Sequence, residues 1–187
     1  MKKKGFLALI LLAPLGFLLI KLPHAIDPIK YIYTITGVTS ICMLNLTLLP
    51  SLLRRWVNVM RYRRMLGLFT FFYVMLHFLN FVILDAQFDL ALVVKETYEK
   101  PFVYLGMIAF AVLLLMSITS SKKLFARFHR WHRFVYMVLI LVVIHAAMAQ
   151  KVLSFNEYAY MFMALLLLGF RIPFKRLLQK RIKGVER

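Results

Sequence analysis

Two histidines lie within long apolar segments of the chain, where an imidazole is costly unless it has a function. His77 belongs to the third such segment and His145 to the fifth. Ionisable residues inside membrane helices usually face the interior of the bundle and mark functional sites. A neutral imidazole is a common metal ligand, and a haem iron takes axial ligands from the protein. The pair therefore predicts a six-coordinate haem in which both rings bind one iron.

The spacing of the two histidines from earlier residues supports this pairing. Arg64 precedes His77 by thirteen residues, and His132 precedes His145 by the same number. At 1.5 Å per residue, either separation rises about 20 Å along a helix. The third and fifth segments cross the membrane in the same direction. If Arg64 and His132 lie at similar depths, His77 and His145 are level with each other near the outer side.

Other uses of these two side chains stay open at this point. A lone histidine in a membrane helix can hydrogen-bond a neighbouring helix without binding any cofactor. A zinc site would need further ligands at the same depth, and a proton relay would favour buried acids. Every acid of this chain lies in a loop or a tail. Haem is therefore the best use of two facing histidines without carboxylates.

His132 is placed less simply than the pair. On an ideal helix, thirteen residues leave it roughly 140° round the axis from His145. It is a candidate ligand of a second haem, although the matching depth of the third segment carries Arg64 instead of a histidine. Arg64 is better suited to a haem propionate, through charge-assisted hydrogen bonds. Three further residues are expected to frame a haem: Tyr73, Asn80 and Met148.

The composition predicts an integral membrane protein with an all-α fold. Of the 187 residues, 63% are hydrophobic, and the mean hydropathy of +0.79 is too high for a soluble domain. A helix needs about 20 apolar residues to span a bilayer. Six transmembrane helices are predicted in a single domain over residues 1–187, at 5–22, 31–53, 65–84, 101–119, 133–150 and 158–174.

The charges predict the topology of the chain and not a nucleic-acid partner. The net charge is +18, but most lysines and arginines lie in the termini and in the two loops on the same side. Six of the seven acids lie on the opposite side. By the positive-inside rule, both termini are cytoplasmic, and the expected surroundings are a lipid bilayer. The outer stretch 85–100 is either a docking surface for an extracytoplasmic partner or a solvated loop.

The single cysteine and the two remaining histidines are weaker candidates for binding a cofactor. Cys42 is the single cysteine, so the chain has neither a disulfide framework nor a CxxCH haem-attachment motif. Any cofactor must therefore be held without a covalent link to cysteine. His24 and His129 lie in loops and are expected to be solvated or bound to lipid headgroups. No catalytic residue is predicted.

Each of the first two apolar segments has two possible interpretations. Residues 1–25 imitate a signal peptide, but Pro23 suits a cleavage site poorly, so we expect the segment to be kept as a helix, with cleavage as the alternative. In the second segment, small and hydroxylated residues follow helical spacing. They are expected to pack against other helices, with cofactor contact as the alternative. The residues at helical spacing are Thr36, Ser40, Met43 and Thr47, and Gly37 and Asn45 lie nearby.

Several short stretches of the chain occur in a distinctive order and spacing. They are DPIKYIYTITG at 27–37, RRMLGL at 63–68 followed by LH at His77, KETYEKPFVYLG at 95–106, WHRFVY at 131–136 and IH at His145. Together they resemble the MsrQ (YedZ) family, which belongs to the ferric-reductase-like transmembrane group. The resemblance covers most of the chain, from Asp27 to the basic tail.

The resemblance implies haem b, one or two per chain, held by histidines of helices three and five, here His77, His132 and His145. It also implies electron delivery across the bacterial inner membrane to MsrP, a periplasmic molybdopterin enzyme that reduces methionine sulfoxide in proteins. The implied electron donor is quinol or a cytoplasmic flavin reductase, and a bound FMN is a further implied cofactor. The chain departs from the family pattern at Val38, where an arginine is expected, and in its short N-terminal segment.

The sequence thus predicts an electron-transfer subunit whose partner performs the sulfoxide chemistry. Two alternatives stay open. One is another haem-containing transmembrane reductase, linked to ferric iron or to quinone. The other is a non-redox membrane scaffold subunit, whose histidines only tie helices together.

Overall fold

The described part of the protein consists almost entirely of helices. The computed structural model describes residues 2–53, 60–150 and 155–169, and no strand occurs among them. The α-helices are α1 Lys2–Lys21, α2 Pro28–Leu53, α3 Met60–Leu79, α4 Leu90–Glu99, α5 Pro101–Ile118, α6 Lys122–Phe128, α7 Val135–Ala149 and α8 Phe155–Gly169. A π-helical segment, Asn80–Asp85, continues α3, and 3-10 turns occupy Leu22–His24 and Trp131–Phe134. The predicted all-α class is confirmed.

Five of the described helical stretches are long and apolar enough to cross a bilayer. They are Lys4–His24, Pro28–Pro50, Tyr62–Asp85, Pro101–Ile118 and Trp131–Ala149. The sixth predicted span corresponds to α8, whose apolar part is shorter, Glu157–Gly169. The end of that predicted span, 170–174, and the basic tail lie outside the described residues, so the count of six spans stays a prediction.

Short polar side chains begin several of these helices. The Asp27 carboxylate accepts a hydrogen bond from the Lys30 backbone N–H at the start of α2, with a distance of 3.0 Å. At the start of α4, the Asp89 carboxylate accepts one from the Leu92 backbone N–H, also at 3.0 Å. Such caps satisfy amide groups that have no partner within the helix. Pro101 begins α5, at a position where its missing N–H costs little.

Two helices lie in stretches that were predicted to be loops. The outer stretch 85–100 contains α4, which packs on α5 and buries Val93. The basic stretch between the fourth and fifth apolar segments contains α6, capped by the Ser121 hydroxyl. Both helices are too short and too polar for a hydropathy pattern to reveal.

Two helix pairs make up most of the bundle. α2 packs most extensively on α3, and α5 packs on α7. Between the pairs lies a core of buried aliphatic side chains from α2, α5, α7 and α8, which includes Leu44, Leu48, Leu113, Val138, Leu139 and Ala164. The two pairs therefore meet along one apolar seam, and α3 and α7 each have their own supporting helix.

α1 is attached to α3 by a buried hydrogen bond. The Tyr73 hydroxyl donates to the Leu11 carbonyl over 2.7 Å, and Tyr73 is 1% exposed. Leu11, Met43 and Tyr73 form a second buried cluster. The side chain of Tyr73 thus serves the contact between α1 and α3.

Candidate functional site

The His77 imidazole projects from α3 and is held by α2. Its Nδ1 lies 3.1 Å from the Thr36 hydroxyl oxygen. That hydroxyl donates its own hydrogen to the Ile32 carbonyl over 2.6 Å, so its oxygen is the acceptor of the His77 Nδ1–H. This hydrogen bond fixes the tautomer and leaves the Nε2 lone pair available, as in metal-binding histidines.

Two other residues of the same face of α2 surround this ring. Tyr33, Thr36 and Gly37 follow the i, i+3, i+4 spacing that puts side chains on one side of a helix. The Tyr33 ring meets His77 edge-on, with centroids 5.3 Å apart. A Cβ atom at Gly37 would lie 3.1 Å from Cε1 of His77. The glycine therefore lets the backbone of α2 approach the imidazole closely.

The His145 imidazole projects from α7 and is held by α5 in the same manner. Its Nδ1–H donates to the Phe102 carbonyl over 2.6 Å. One turn further along α5, a Cβ atom at Gly106 would lie 2.9 Å from Cε1 of His145 and 3.0 Å from its Nδ1. Each histidine thus has an Nδ1 acceptor and a close glycine on its own neighbouring helix.

The two rings meet inside the bundle. Their centroids are 6.3 Å apart, and their planes are inclined at 87°. The hydrogen bonds of the two rings to Thr36 and Phe102 use Nδ1, so Nε2 is the candidate metal-binding atom of each ring. The structure therefore brings together the two histidines that the thirteen-residue spacing placed at one level.

This separation suits two imidazoles on opposite sides of one metal ion. A metal–imidazole bond is about 2 Å long, and with the bonding nitrogen roughly 1 Å from the ring centre, two axial rings have centres about 6 Å apart. Among the described residues, no group of three or more His, Cys, Asp or Glu could hold a metal ion by side chains alone. The donor set therefore fits an ion whose other ligands come from a macrocycle, as in haem.

Arg64 and His132 meet in a separate cavity at the opposite ends of α3 and α7. The cavity has a volume of about 490 Å³. Basic and hydroxyl-bearing side chains line it together with apolar residues of α2 and α5. They include Arg63, Arg64, Thr70, Ser117, Ser120, His129, His132, Arg133 and Tyr136. Arg64 and His132 line the same cavity, which is consistent with the similar depth assumed for them, and His129 also lines it.

His132 occupies a 3-10 turn that precedes α7. The 140° angle from His145, which assumed one ideal helix, therefore does not apply to it. Its Nε2 lies 3.3 Å from the Thr119 hydroxyl, which donates to the Leu115 carbonyl, so His132 is the donor. The Phe125 ring packs edge-on against it, with centroids 4.7 Å apart.

The structure gives the surroundings of the three residues predicted to frame a haem, and that role stays a prediction. Tyr73 contacts α1, as described above, and Met148 is 48% exposed. Asn80 is buried and donates from Nδ2 to the Ile29 carbonyl of α2 over 3.2 Å.

The supports of the two rings were not identified as such from the sequence. They are Thr36, Gly37, the Phe102 carbonyl and Gly106. For Thr36 and Gly37, helix packing was preferred to cofactor contact, whereas the structure places both against His77. Their signal was present in the stretches TITG and PFVYLG, which end at Gly37 and Gly106.

Comparison with known proteins assigns a family. The family described as ferric reductase like transmembrane component matches residues 4–147. A relative from Rhizobium meliloti (strain 1021), the protein-methionine-sulfoxide reductase heme-binding subunit MsrQ, is 36% identical over 132 residues, which cover 68% of this chain and 61% of the relative. The protein of that name from Pectobacterium carotovorum subsp. carotovorum (strain PC1) is 38% identical over 78% of this chain and 77% of the relative. The one from Agrobacterium fabrum is 32% identical over 78% of this chain and 71% of the relative. No solved structure matches the chain significantly. The family and the apolar helices identify a multi-pass membrane protein.

Proposed function

The chain belongs to the MsrQ family of ferric-reductase-like transmembrane proteins, and we propose that it is a haem-binding membrane subunit that relays electrons to a methionine sulfoxide reductase. The observation that carries this proposal is the pair of imidazoles with centroids 6.3 Å apart, one on α3 and one on α7. The names of the relatives state heme binding and methionine sulfoxide reduction for those proteins.

His77 and His145 would hold the iron of a b-type haem through their Nε2 atoms. Bound haem supplies a one-electron carrier whose potential depends on its axial ligands and on the hydrogen bonds around them. Thr36 and the Phe102 carbonyl orient the two rings and raise their basicity through the Nδ1–H bonds. Because each ring is braced by a neighbouring helix, little rearrangement is needed when the charge of the site changes.

The cavity of Arg64 and His132 would take a second cofactor on the cytoplasmic side. A second haem b would use His132 as a ligand, in exchange for its 3.3 Å contact with Thr119. An FMN is the alternative occupant. In either case Arg64 would pair with the anionic group, a propionate or a phosphate, because a guanidinium gives charge-assisted and often bidentate hydrogen bonds.

The direction of the relay follows from the charges. Basic residues accumulate at the Arg64 and His132 ends of α3 and α7, and acids accumulate beyond the His77 and His145 ends. The positive-inside rule makes the first side cytoplasmic, with both termini on it, in a bacterial inner membrane. Electrons would enter from quinol or from a cytoplasmic flavin reductase and leave to a periplasmic molybdopterin subunit of the MsrP type. Reduction of the sulfoxide belongs to that partner, since no catalytic residue is assigned to this chain.

The first test is haem quantitation with an absorption spectrum on the purified protein expressed with added haem. We expect a low-spin haem b spectrum for the wild type and for His24→Ala, which removes an exposed histidine on the outer side. His77→Ala and His145→Ala should lose that haem, whereas His132→Ala should lower the content of haem, or of flavin, at the second site only. A wild-type protein without a Soret band would contradict the proposal and favour the scaffold alternative.

The second test identifies the electron acceptor. The reduced protein is mixed with an MsrP-type subunit or with ferric chelates, and reoxidation is followed at the Soret band. Faster reoxidation by the MsrP-type subunit is expected. Preference for ferric chelates would instead favour a ferric reductase.

A further inference from the structure

The outer end of α2 is joined to the segment that follows His77 by a tyrosine–carboxylate hydrogen bond. The Tyr33 hydroxyl donates to Oδ2 of Asp85 over 3.0 Å. The same tyrosine ring packs edge-on against His77. Tyr33 therefore contacts the imidazole with one side of its ring and an exposed carboxylate with its hydroxyl.

The π-helical segment makes this contact geometrically feasible. Asn80–Asp85 begins directly after Leu79, the last residue of α3, and three residues after His77. A π-helix closes i to i+5 hydrogen bonds, so it turns through a smaller angle per residue than an α-helix does, and such segments often occur at functional sites. As a result, Asp85 comes round to the side of α3 that faces α2. Asn80, at the start of the segment, also faces α2, since it donates to the Ile29 carbonyl.

From these contacts we propose that Asp85 and Tyr33 form a clamp that positions the His77 imidazole and thereby tunes the haem it holds. The hydrogen bond to Asp85 holds the Tyr33 hydroxyl and so fixes the position of the tyrosine ring beside the imidazole. Contact with that ring then limits rotation of the His77 side chain. Thr36 holds Nδ1 of the same imidazole, so the ring has two independent restraints from α2. Both residues are positioning residues, because they act through His77. This inference rests on the proposed function.

The position of the clamp gives it a further consequence. Asp85 is exposed on the outer side of the bundle, where the electron acceptor would bind. A partner that contacts Asp85 would act on His77 through a single intervening side chain. The clamp thus connects the outer surface to one ligand of the haem without any movement of a helix.

The experiment compares four single variants and the Tyr33→Phe/Asp85→Ala double variant by electron paramagnetic resonance of the oxidised haem and by redox titration. Tyr33→Phe keeps the ring and removes the hydroxyl, and Asp85→Ala removes its acceptor. Asp85→Asn keeps an acceptor oxygen without the charge. Glu99→Gln is the matched control, because it removes an exposed outer carboxylate that has no hydrogen bond or ion pair in the described part of the chain.

Tyr33→Phe and Asp85→Ala should shift the low-spin signal, which is sensitive to the relative orientation of the two imidazole planes. They should also shift the midpoint potential, and the double variant should shift both no further than one single variant does. Asp85→Asn should keep the wild-type signal and change the potential only as much as Glu99→Gln does. Wild-type spectra for Tyr33→Phe, or additive shifts in the double variant, would overturn the clamp.

The design separates this inference from the proposed function. Should the wild-type protein bind no haem through His77, the proposed function itself fails. Should it bind haem through His77 with a signal that is unchanged in Tyr33→Phe, only the clamp fails. If Asp85→Ala does not fold, Tyr33→Phe and Asp85→Asn still decide the question, since the first removes only the hydrogen bond and the second only the charge.

Discussion

Replacing Gly106 by alanine tests how closely α5 supports the His145 ring. The new Cβ atom would lie 2.9 Å from Cε1 and 3.0 Å from Nδ1 of the imidazole, where ordinary contacts begin at 3.4 Å. The ring would have to retreat by about 0.5 Å, whereas metal–ligand distances tolerate changes of about 0.2 Å. Substitutions beside a ligating histidine typically cost about 10- to 100-fold in metal affinity. We expect haem affinity to fall in that range, with partial loss of the low-spin spectrum.

Glycine-to-alanine substitutions at two other helical positions provide graded comparisons. At Gly37, the nearest atom of His77 is 3.1 Å from the added Cβ, so Gly37→Ala should have a smaller effect of the same kind. At Gly16 of α1, nothing lies within 4 Å of the added Cβ, so Gly16→Ala should keep wild-type haem content. An alanine at an open helical position stabilises the helix by about 1 kcal/mol relative to glycine.

The assay is haem titration of the haem-free protein, followed by absorption at the Soret band, with thermal unfolding of the haem-free protein measured in parallel. The expected order of haem affinity is Gly16→Ala equal to wild type, then Gly37→Ala, then Gly106→Ala. Wild-type haem affinity in Gly106→Ala would refute the close packing of α5 on His145. A loss of haem in Gly16→Ala equal to that in Gly106→Ala would show that the effect is not local to the ring.

Three further predictions concern single side chains. Thr36→Val removes the acceptor of the His77 Nδ1–H but keeps the side-chain volume. We expect haem to be retained with a raised midpoint potential in a redox titration, because a less basic imidazole stabilises the oxidised iron less. Tyr73→Phe removes the buried hydrogen bond to α1 and should lower the free energy of unfolding by about 1 kcal/mol without a change in the haem spectrum, as measured by denaturant titration in detergent micelles. Arg64→Gln should release the cofactor of the second cavity while the low-spin signal of the outer haem persists, as measured by haem and flavin quantitation together with electron paramagnetic resonance.

The sequence was sufficient for the class of the fold and for the meeting of His77 with His145. Apolar length identifies a membrane helix, and the direction of crossing with a fixed rise per residue gives the depth of each residue. Neither argument depends on which face of a helix is turned inward. Counting along two helices that run in the same direction therefore reaches the pair.

The rotation of each helix was beyond such reasoning. α5 and α7 are apolar on every side, so no polar face indicates which side chains look into the bundle. The Phe102 carbonyl has no side-chain signature at all, and a glycine against a ring looks the same in sequence as one that faces lipid. The π-helical segment is also invisible, because its residues are as apolar as those of α3. These features follow from the packing of neighbouring helices, which a single sequence does not encode locally.

The separation between the two sites argues for a second carrier in the relay. His132 and His145 are thirteen residues apart, which corresponds to about 20 Å along the helix, and Arg64 and His77 are equally far apart on α3. A donor on the cytoplasmic side would therefore face a gap of about two-thirds of the roughly 30 Å hydrocarbon core before it reached the His77 and His145 pair. In the proposed topology, the cavity of Arg64 and His132 is at the cytoplasmic end of that gap. It is cationic, bears hydroxyl groups and has a volume typical of sites that bind cofactors. Filling it divides one long transfer into two shorter ones, so removal of Arg64 should slow reduction of the outer haem by the donor without changing its reoxidation by the acceptor.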